Sequence, residues 1–294
     1  ISLVGWFQEN LHQDKLKNGY AQRLAVSKII YQDKSEFQDL VIFENPTFGR
    51  VLALDGIIQT TEKDEFCYHE MLTHVPLFAH GKAMRVLIIG GGDGGILREV
   101  LRHEQIEKVT LVELDRSVID ACAAHMPALS NGAFDDERTE LIISDGVKFV
   151  ENCRAGSFDL IVVDSTDPLG PGEVLFSETF YADCKRCLAE GGIFVNQNGV
   201  PTLQPGEITT TYQRLIPLFK DVSFYLTVVP TYIGGFMAVG WATKDSALRN
   251  ISIQDLRARF NASRITTNYY TPEVHMAAFS LPPFISRLMH RKNT

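Results

Sequence analysis

The chain reads as an α/β protein, a doubly wound parallel sheet preceded by a small antiparallel β-domain. Three observations predict this. Short alternating strand patterns fill the stretch from Tyr20 to about Glu62; further on, apolar runs such as RVLII, VTLV and DLIVV alternate with helical patterns; and a glycine turn, VLIIGGGDGGILREV, joins the first of these runs to a helix. Strands alternating with helices make a parallel sheet covered on both faces, so its strands are apolar throughout. With 294 residues and 45% hydrophobic composition, the chain can bury one large core and a smaller companion. The expected domains are 1–75, the β-domain with a connecting helix, and 76–294.

In the first domain, LVIFENPTFGRVLALDGIIQTTE carries a turn at Asn45-Pro46-Thr47-Phe48-Gly49 between two β-rich runs. DEFCYHEMLTHVPLFAH, from Asp64 to about His80, spaces Phe66, Met71, Leu72, Val75 and Leu77 at roughly helical intervals. Pro76, which has no N–H for the helical ladder, is expected to force an ending nearby. After the glycine turn come GILREVLRH, VTLV, a helix near Ser117 to His125, ELIIS, a short helix and DLIVV, and FYADCKRCLAEGG reads as a helix ending at Gly191. FYLTVVP and FMAVGWA, with Tyr232, Gly234 and Gly235 between them, predict a hairpin that closes the sheet antiparallel.

The net charge of −8, without Lys and Arg clusters, argues against a nucleic-acid partner and suits a cationic ligand. Five cysteines form an odd set without disulfide-scaffold density, which fits a reducing cytoplasm. Cys184 and Cys187 have CxxC spacing, but no second pair or nearby His completes a zinc site, and they read as buried thiols. The N-terminal ISLVGWFQEN lacks the basic start and apolar run of a secretory signal, and no segment approaches the ~20 apolar residues that span a bilayer. A cytoplasmic protein is expected, with a native start upstream of Ile1.

Gly90, Gly92 and Gly95 satisfy GxGxxG between a strand and a helix, and Glu113 ends the next strand, where a nucleotide ribose would be held. Asp93 breaks the dinucleotide reading. A pyrophosphate needs bare N–H groups and the positive helix end there, and two like charges at ~4 Å cost roughly 4 kcal/mol at an effective dielectric of about 20. The loop therefore suits something other than an anion. By itself, Asp93 reads equally well as a helix cap.

Other acids weigh against a cap alone. Glu113, Asp145 and Asp164 follow successive strands, with Asp167 three residues later in DSTDPLGPG. Strand ends of a doubly wound sheet face one crevice, so Asp93, Glu113, Asp145, Asp164 and Asp167 would converge there and attract a cation. A metal is the lesser reading, since the acids sit on different strands without a local DxDxDG pattern.

Over nearly its whole length the sequence resembles the spermidine synthases, and in particular their bacterial members. The resemblance is carried by FQDLVIFENPTFGRVLALDG, GIIQTTEKDEFCYHEM, VLIIGGGDGGILREV, LVELD, SDG, DSTDPLGPGEVLF, PTYIGG and YYTPEVHMAAFSLP. It implies a Rossmann-like domain of the methyltransferase type behind the small β-domain, assembled as a homodimer or homotetramer. It implies transfer of the aminopropyl group of decarboxylated S-adenosylmethionine, a co-substrate, to putrescine, with no metal or further cofactor. For the donor, the resemblance implies that Gln38 and Glu113 hold the methylthioadenosine part, Asp145 and Gly146 read the adenine beside Pro171, Asp93 binds the aminopropyl amine, and Gln59 lies near. For the acceptor, it implies that His69 and Asp167 bind the diamine, Tyr68 and Tyr232 orient the attacking nitrogen, and Asp164 is the base.

The chemistry agrees with this division. A sulfonium leaves as a neutral thioether, so no general acid is needed. The nucleophile is the difficulty, because freeing an amine of pKa about 10.4 at pH 7 costs roughly 4.6 kcal/mol, and one acid must take that proton. A small-molecule methyltransferase and an NAD-dependent oxidoreductase are rival readings, and Asp93 argues against both. A non-catalytic polyamine-binding protein is a third, opposed by the presence of Asp164 and the tyrosines.

Overall fold

The computed structural model describes residues 4–9, 19–166 and 170–291, without the side chains of 170 and 171. Strand β1 (Gly5–Gln8) pairs antiparallel with β2 (Arg23–Val26). β3 (Lys28–Lys34), β4 (Asp39–Asn45), β5 (Gly49–Leu54) and β6 (Ile57–Thr61) form an antiparallel meander. Its turn falls at the expected place, where the Asn45 side-chain oxygen accepts from the Thr47 and Phe48 N–H groups and Gly49 takes the left-handed conformation at φ 72°.

Helix α1 (Phe66–His80) carries Pro76 inside it and stops four residues later, before the left-handed Gly81, where the segment is expected to end. An interior proline costs about 3 kcal/mol or more. Burial of every side chain from Cys67 to Ala79 opposes that cost, and Arg259 donates to the Phe78 and Ala79 carbonyls at the helix end. The helix straddles residue 75, and its side chains share the core of the large sheet.

The chain then alternates through β7 (Arg85–Gly90), α2 (Gly95–Leu101), β8 (Lys108–Glu113), α3 (Arg116–His125), the short α4 (Pro127–Ser130), β9 (Thr139–Ile143), α5 (Gly146–Asn152) and β10 (Phe158–Asp164). A 3-10 helix at Gly170–Phe176 precedes α6 (Glu178–Cys187), β11 (Leu188–Gln197), α7 (Pro205–Leu215), β12 (Asp221–Val228) and β13 (Phe236–Thr243), and α8 (Ile253–Ser263), α9 (Pro272–Ala278) and α10 (Pro283–Met289) finish the chain. The sheet order is β12-β13-β11-β10-β7-β8-β9, parallel from β11 to β9, with β13 antiparallel to both its neighbours as expected. This is a Rossmann-like sheet of the methyltransferase type. Alternate strand residues feed the two faces: Val86, Ile88 and Val162 join the core under α1 and α2, while Leu87, Ile89 and Val163 join the core under α6.

Helix α6 ends at Cys187, short of the expected Gly191, because the segment from Leu188 onward pairs with β10 as a strand. Cys184 and Cys187 are buried free thiols on that helix. The meander lays Leu40, Ile42 and Leu52 against Val118, Ala121 and Cys122 of α3, which brings the small β-domain over the strand ends of the sheet.

Candidate active site

The strand order reverses between β7 and β10, and the crevice outside their carboxyl ends is where ligands bind in such sheets. A cavity of about 250 Å³ lies there, closed by the β-domain. Gln38, Gln59, Tyr68, His69, Asp93, Glu113, Asp145, Gly146, Asp164 and Tyr232 all line it, and among its described lining residues there is no lysine or arginine. Asp167 lies outside the described residues. Pro171 falls in the 3-10 helix beside the cavity, its side chain outside the description.

Two glycines of the loop are required by close approach. Gly90 has φ 81°, its neighbour Gly91 donates to the Asp164 carbonyl, and a Cβ on Gly90 would sit 2.1 Å from that oxygen. Gly95 lies under His69, where a Cβ would meet the imidazole at 2.2 Å. The loop thus draws β10 and α1 onto the same point.

Asp93 does both things its position allows. One carboxylate oxygen accepts from the Gly95 N–H at 2.7 Å, as a cap would, and the other faces His69 Nε2 at 3.3 Å. Burial alone would raise this carboxyl, but the His69 imidazolium and the Gly95 N–H outweigh it and hold it below the ordinary value. His69 is buried, which opposes its charge, yet Asp93 on one nitrogen and Glu65 on the other, at 2.5 Å, keep it well above its ordinary value. Its two nitrogens are therefore both engaged by carboxylates.

Asp164, at the end of β10, accepts from the Tyr68 hydroxyl at 2.7 Å. Burial and the nearby Asp93 charge push its carboxyl up to about 6, against the Tyr68 hydrogen bond and the His69 charge. Glu113, at the end of β8, is pushed by burial up to about 7, although it accepts from the Asp115 N–H at 2.9 Å. Asp145 caps α5 through the Val147 N–H, and Gly146 packs so close to Ile89 that a Cβ would meet it at 2.5 Å. The Tyr232 hydroxyl donates to the Gln59 carbonyl at 2.7 Å, and the Tyr68 and Tyr232 rings meet edge to face with centroids 5.7 Å apart.

Three residues of the site escaped the sequence reading. Asp115 accepts from Ser35 Oγ at 2.6 Å and Gln38 Nε2 at 3.0 Å while capping α3, and so ties the β-domain to the cavity. Its place two residues after Glu113, before a helix, was the available signal. Glu65 and Arg98 hold His69 from behind, and the Glu65 to His69 spacing of four on one helix was readable, whereas its meeting with Arg98 was not. Among the described residues no group of three or more His, Cys, Asp or Glu is arranged to hold a metal ion, and no helix is long and apolar enough to cross a membrane.

Comparison with known proteins shows the family. The model of the spermine/spermidine synthase domain matches residues 65–252, and that of the spermidine synthase tetramerisation domain matches residues 5–62. A polyamine aminopropyltransferase of Pseudomonas syringae pv. tomato is 53% identical over 280 residues, covering 95% of this chain and 98% of the relative. Polyamine aminopropyltransferase 1 of Pseudomonas aeruginosa is 52% identical over 282 residues, covering 96% and 98%. A solved spermidine synthase in complex with the transition state analogue AdoDATO has a TM-score of 0.90 at 40% identity, covering 97% of this chain and 94% of that one. The fold and the matches define an aminopropyltransferase. The chain belongs to the spermine/spermidine synthase family, whose domain model covers more than half of it.

Proposed function

We propose that the cavity residues divide the work of transferring an aminopropyl group from decarboxylated S-adenosylmethionine to putrescine, giving spermidine and 5'-methylthioadenosine. The observation that carries this reading is an ionised carboxylate, Asp93, inside the glycine loop, facing a second carboxyl, Asp164, across one cavity. Asp93 takes the ammonium of the aminopropyl arm and disfavours ordinary S-adenosylmethionine, whose own carboxylate would face it. Glu113 takes the ribose hydroxyls, with Gln38 and Gln59 on the same side. Asp145, Gly146 and Pro171 enclose the adenine.

On the acceptor side, Tyr68 and Tyr232 orient the attacking nitrogen and Asp167 binds the diamine; His69, expected beside it, has both nitrogens on carboxylates and acts on the donor side by holding Asp93. Asp164 removes the proton. A carboxyl at about 6 rather than 3.8 is a stronger base by up to about 3 kcal/mol, which offsets part of the roughly 4.6 kcal/mol needed to free the amine at pH 7. Holding the nitrogen in line with the sulfonium carbon supplies several kcal/mol more.

The division into domains 1–75 and 76–294, a cytoplasmic setting and a homodimer or homotetramer complete the proposal. Five free cysteines support the setting, and the tetramerisation-domain match with Val4 and Trp6 exposed on the N-terminal hairpin supports the assembly. Incubation with decarboxylated S-adenosylmethionine and a panel of putrescine, cadaverine, agmatine and spermidine tests the reaction. Release of methylthioadenosine with aminopropylated putrescine as the main product is expected, and no release with any amine overturns it.

A further inference from the structure

His69 lies between two carboxylates, Asp93 on Nε2 and Glu65 on Nδ1, with its side chain 2% exposed. Ionised carboxylates only accept hydrogen bonds, so a ring that satisfies both carries a proton on each nitrogen. Behind it the charges alternate. One Arg98 terminal nitrogen donates to both Glu65 oxygens at 3.0 and 2.9 Å, and Arg98 Nε donates to Glu99 at 2.9 Å. Glu99 is held in turn by Arg102 at 2.7 Å and His74 at 3.0 Å. A row of paired charges thus runs from the protein interior to the cavity and ends on Asp93.

We propose that Glu65, anchored by Arg98, is a positioning residue for donor binding: it fixes the His69 ring, whose second nitrogen holds Asp93 against the ammonium of the aminopropyl arm. This rests on the reading that Asp93 binds that ammonium. A buried imidazole with a carboxylate on one side only would be free to rotate or lose its proton, and Asp93, itself buried, would then be driven toward its neutral form. Glu65 prevents both. The groups that face His69 are Glu65 on its own helix, Tyr68 beside it, Asp93 on the glycine loop, Arg98 on α2 behind Glu65, and Asp164 on β10. Of these, Glu65 is the anion that lies away from the cavity, so its effect persists whether or not substrate is bound.

The test compares Glu65→Gln, His69→Gln, the double variant and Asp93→Asn, with donor affinity measured by calorimetry without acceptor and KM and kcat measured with both substrates. Glu65→Gln should raise the donor Kd about ten-fold, the effect of losing one charge-assisted hydrogen bond in a buried row, with little change in acceptor KM. The same substitution in the His69→Gln background should change donor Kd less than about two-fold, since Glu65 acts through the ring. In NMR titrations the His69 signal, assigned by its loss in His69→Gln, should deprotonate about one pH unit or more lower in Glu65→Gln than in the native enzyme. Equal effects in both backgrounds, or an unshifted His69 titration, overturn the proposal. If Asp93→Asn leaves donor affinity unchanged, the underlying donor reading fails; if Asp93→Asn weakens it and Glu65→Gln does not, only the role of Glu65 fails. Should Glu65→Gln not fold, Arg98→Lys, which keeps the charge but loses the fork between Glu65 and Glu99, must show the same dependence on His69, and its absence is equally decisive.

Discussion

Replacing Asp164 with asparagine separates proton removal from binding. Asparagine keeps the size of the side chain and an oxygen to accept from the Tyr68 hydroxyl, so the 2.7 Å contact survives while the base is lost. The acceptor must then enter as free amine, which for a pKa of about 10.4 is roughly one molecule in 2500 at pH 7, and turnover should fall by about 10³. It should recover about ten-fold per pH unit toward pH 10, whereas the native enzyme rises through about 6 and then levels. The same change should stabilise the empty protein. A carboxyl whose folded pKa of about 6 exceeds its ordinary 3.8 withdraws stability as it ionises, so the native protein loses up to about 3 kcal/mol between pH 4 and 6 that the variant keeps. Asp164 is only half-buried, and solvent screening reduces that figure. Steady-state kinetics from pH 6 to 10, donor calorimetry and thermal unfolding at pH 4 and 8 measure these effects. Lost donor binding, or lost turnover without rescue at high pH, would refute the role of base.

Asp93→Asn should weaken binding of decarboxylated S-adenosylmethionine about thirty-fold or more and that of S-adenosylmethionine much less, and equal losses in calorimetry would remove Asp93 as the discriminator. Glu113, pushed up to about 7, is mostly protonated at pH 6 and mostly ionised at pH 8, so donor affinity should rise about five- to ten-fold across that range if the carboxylate holds the ribose. Glu113→Gln should flatten the rise; a profile that keeps its slope in the variant assigns it elsewhere. Gly95→Ala should cost about 1–3 kcal/mol in unfolding and weaken donor binding, because the new Cβ meets the His69 ring at 2.2 Å. A His69→Ala background should relieve both losses, and equal losses there would show that the ring is not what excludes the methyl group.

Much of this protein was legible one segment at a time. The alternation of strands and helices, the turn at Asn45–Gly49 and the hairpin of β12 and β13 depend on periodicity and turn chemistry within a few residues, and all formed where expected. One helix end did not. α6 yielded to a strand because β10 offered Leu188 a partner, so long-range packing outweighed a local preference.

The site divides in the same way. Carboxylates at strand ends are visible in the sequence because a doubly wound sheet gathers those ends in one crevice whatever the details, and Asp93 was visible because it occupies a loop that otherwise suits phosphate. What each acid does there was decided by contacts between distant segments: Tyr68 with Asp164 across 96 residues, Arg98 with Glu65 across 33, and the β-domain with Asp115 through Gln38 across 77. The Asp93 carboxylate could be read from its neighbours in the chain, but the imidazolium that keeps it ionised in a buried cavity comes from another helix. Sequence alone determined the set of charges, since residue type fixes which groups can carry them. Tertiary structure decided which of them stay charged, because burial and the partner brought alongside set each pKa, and neither is a property of the local chain.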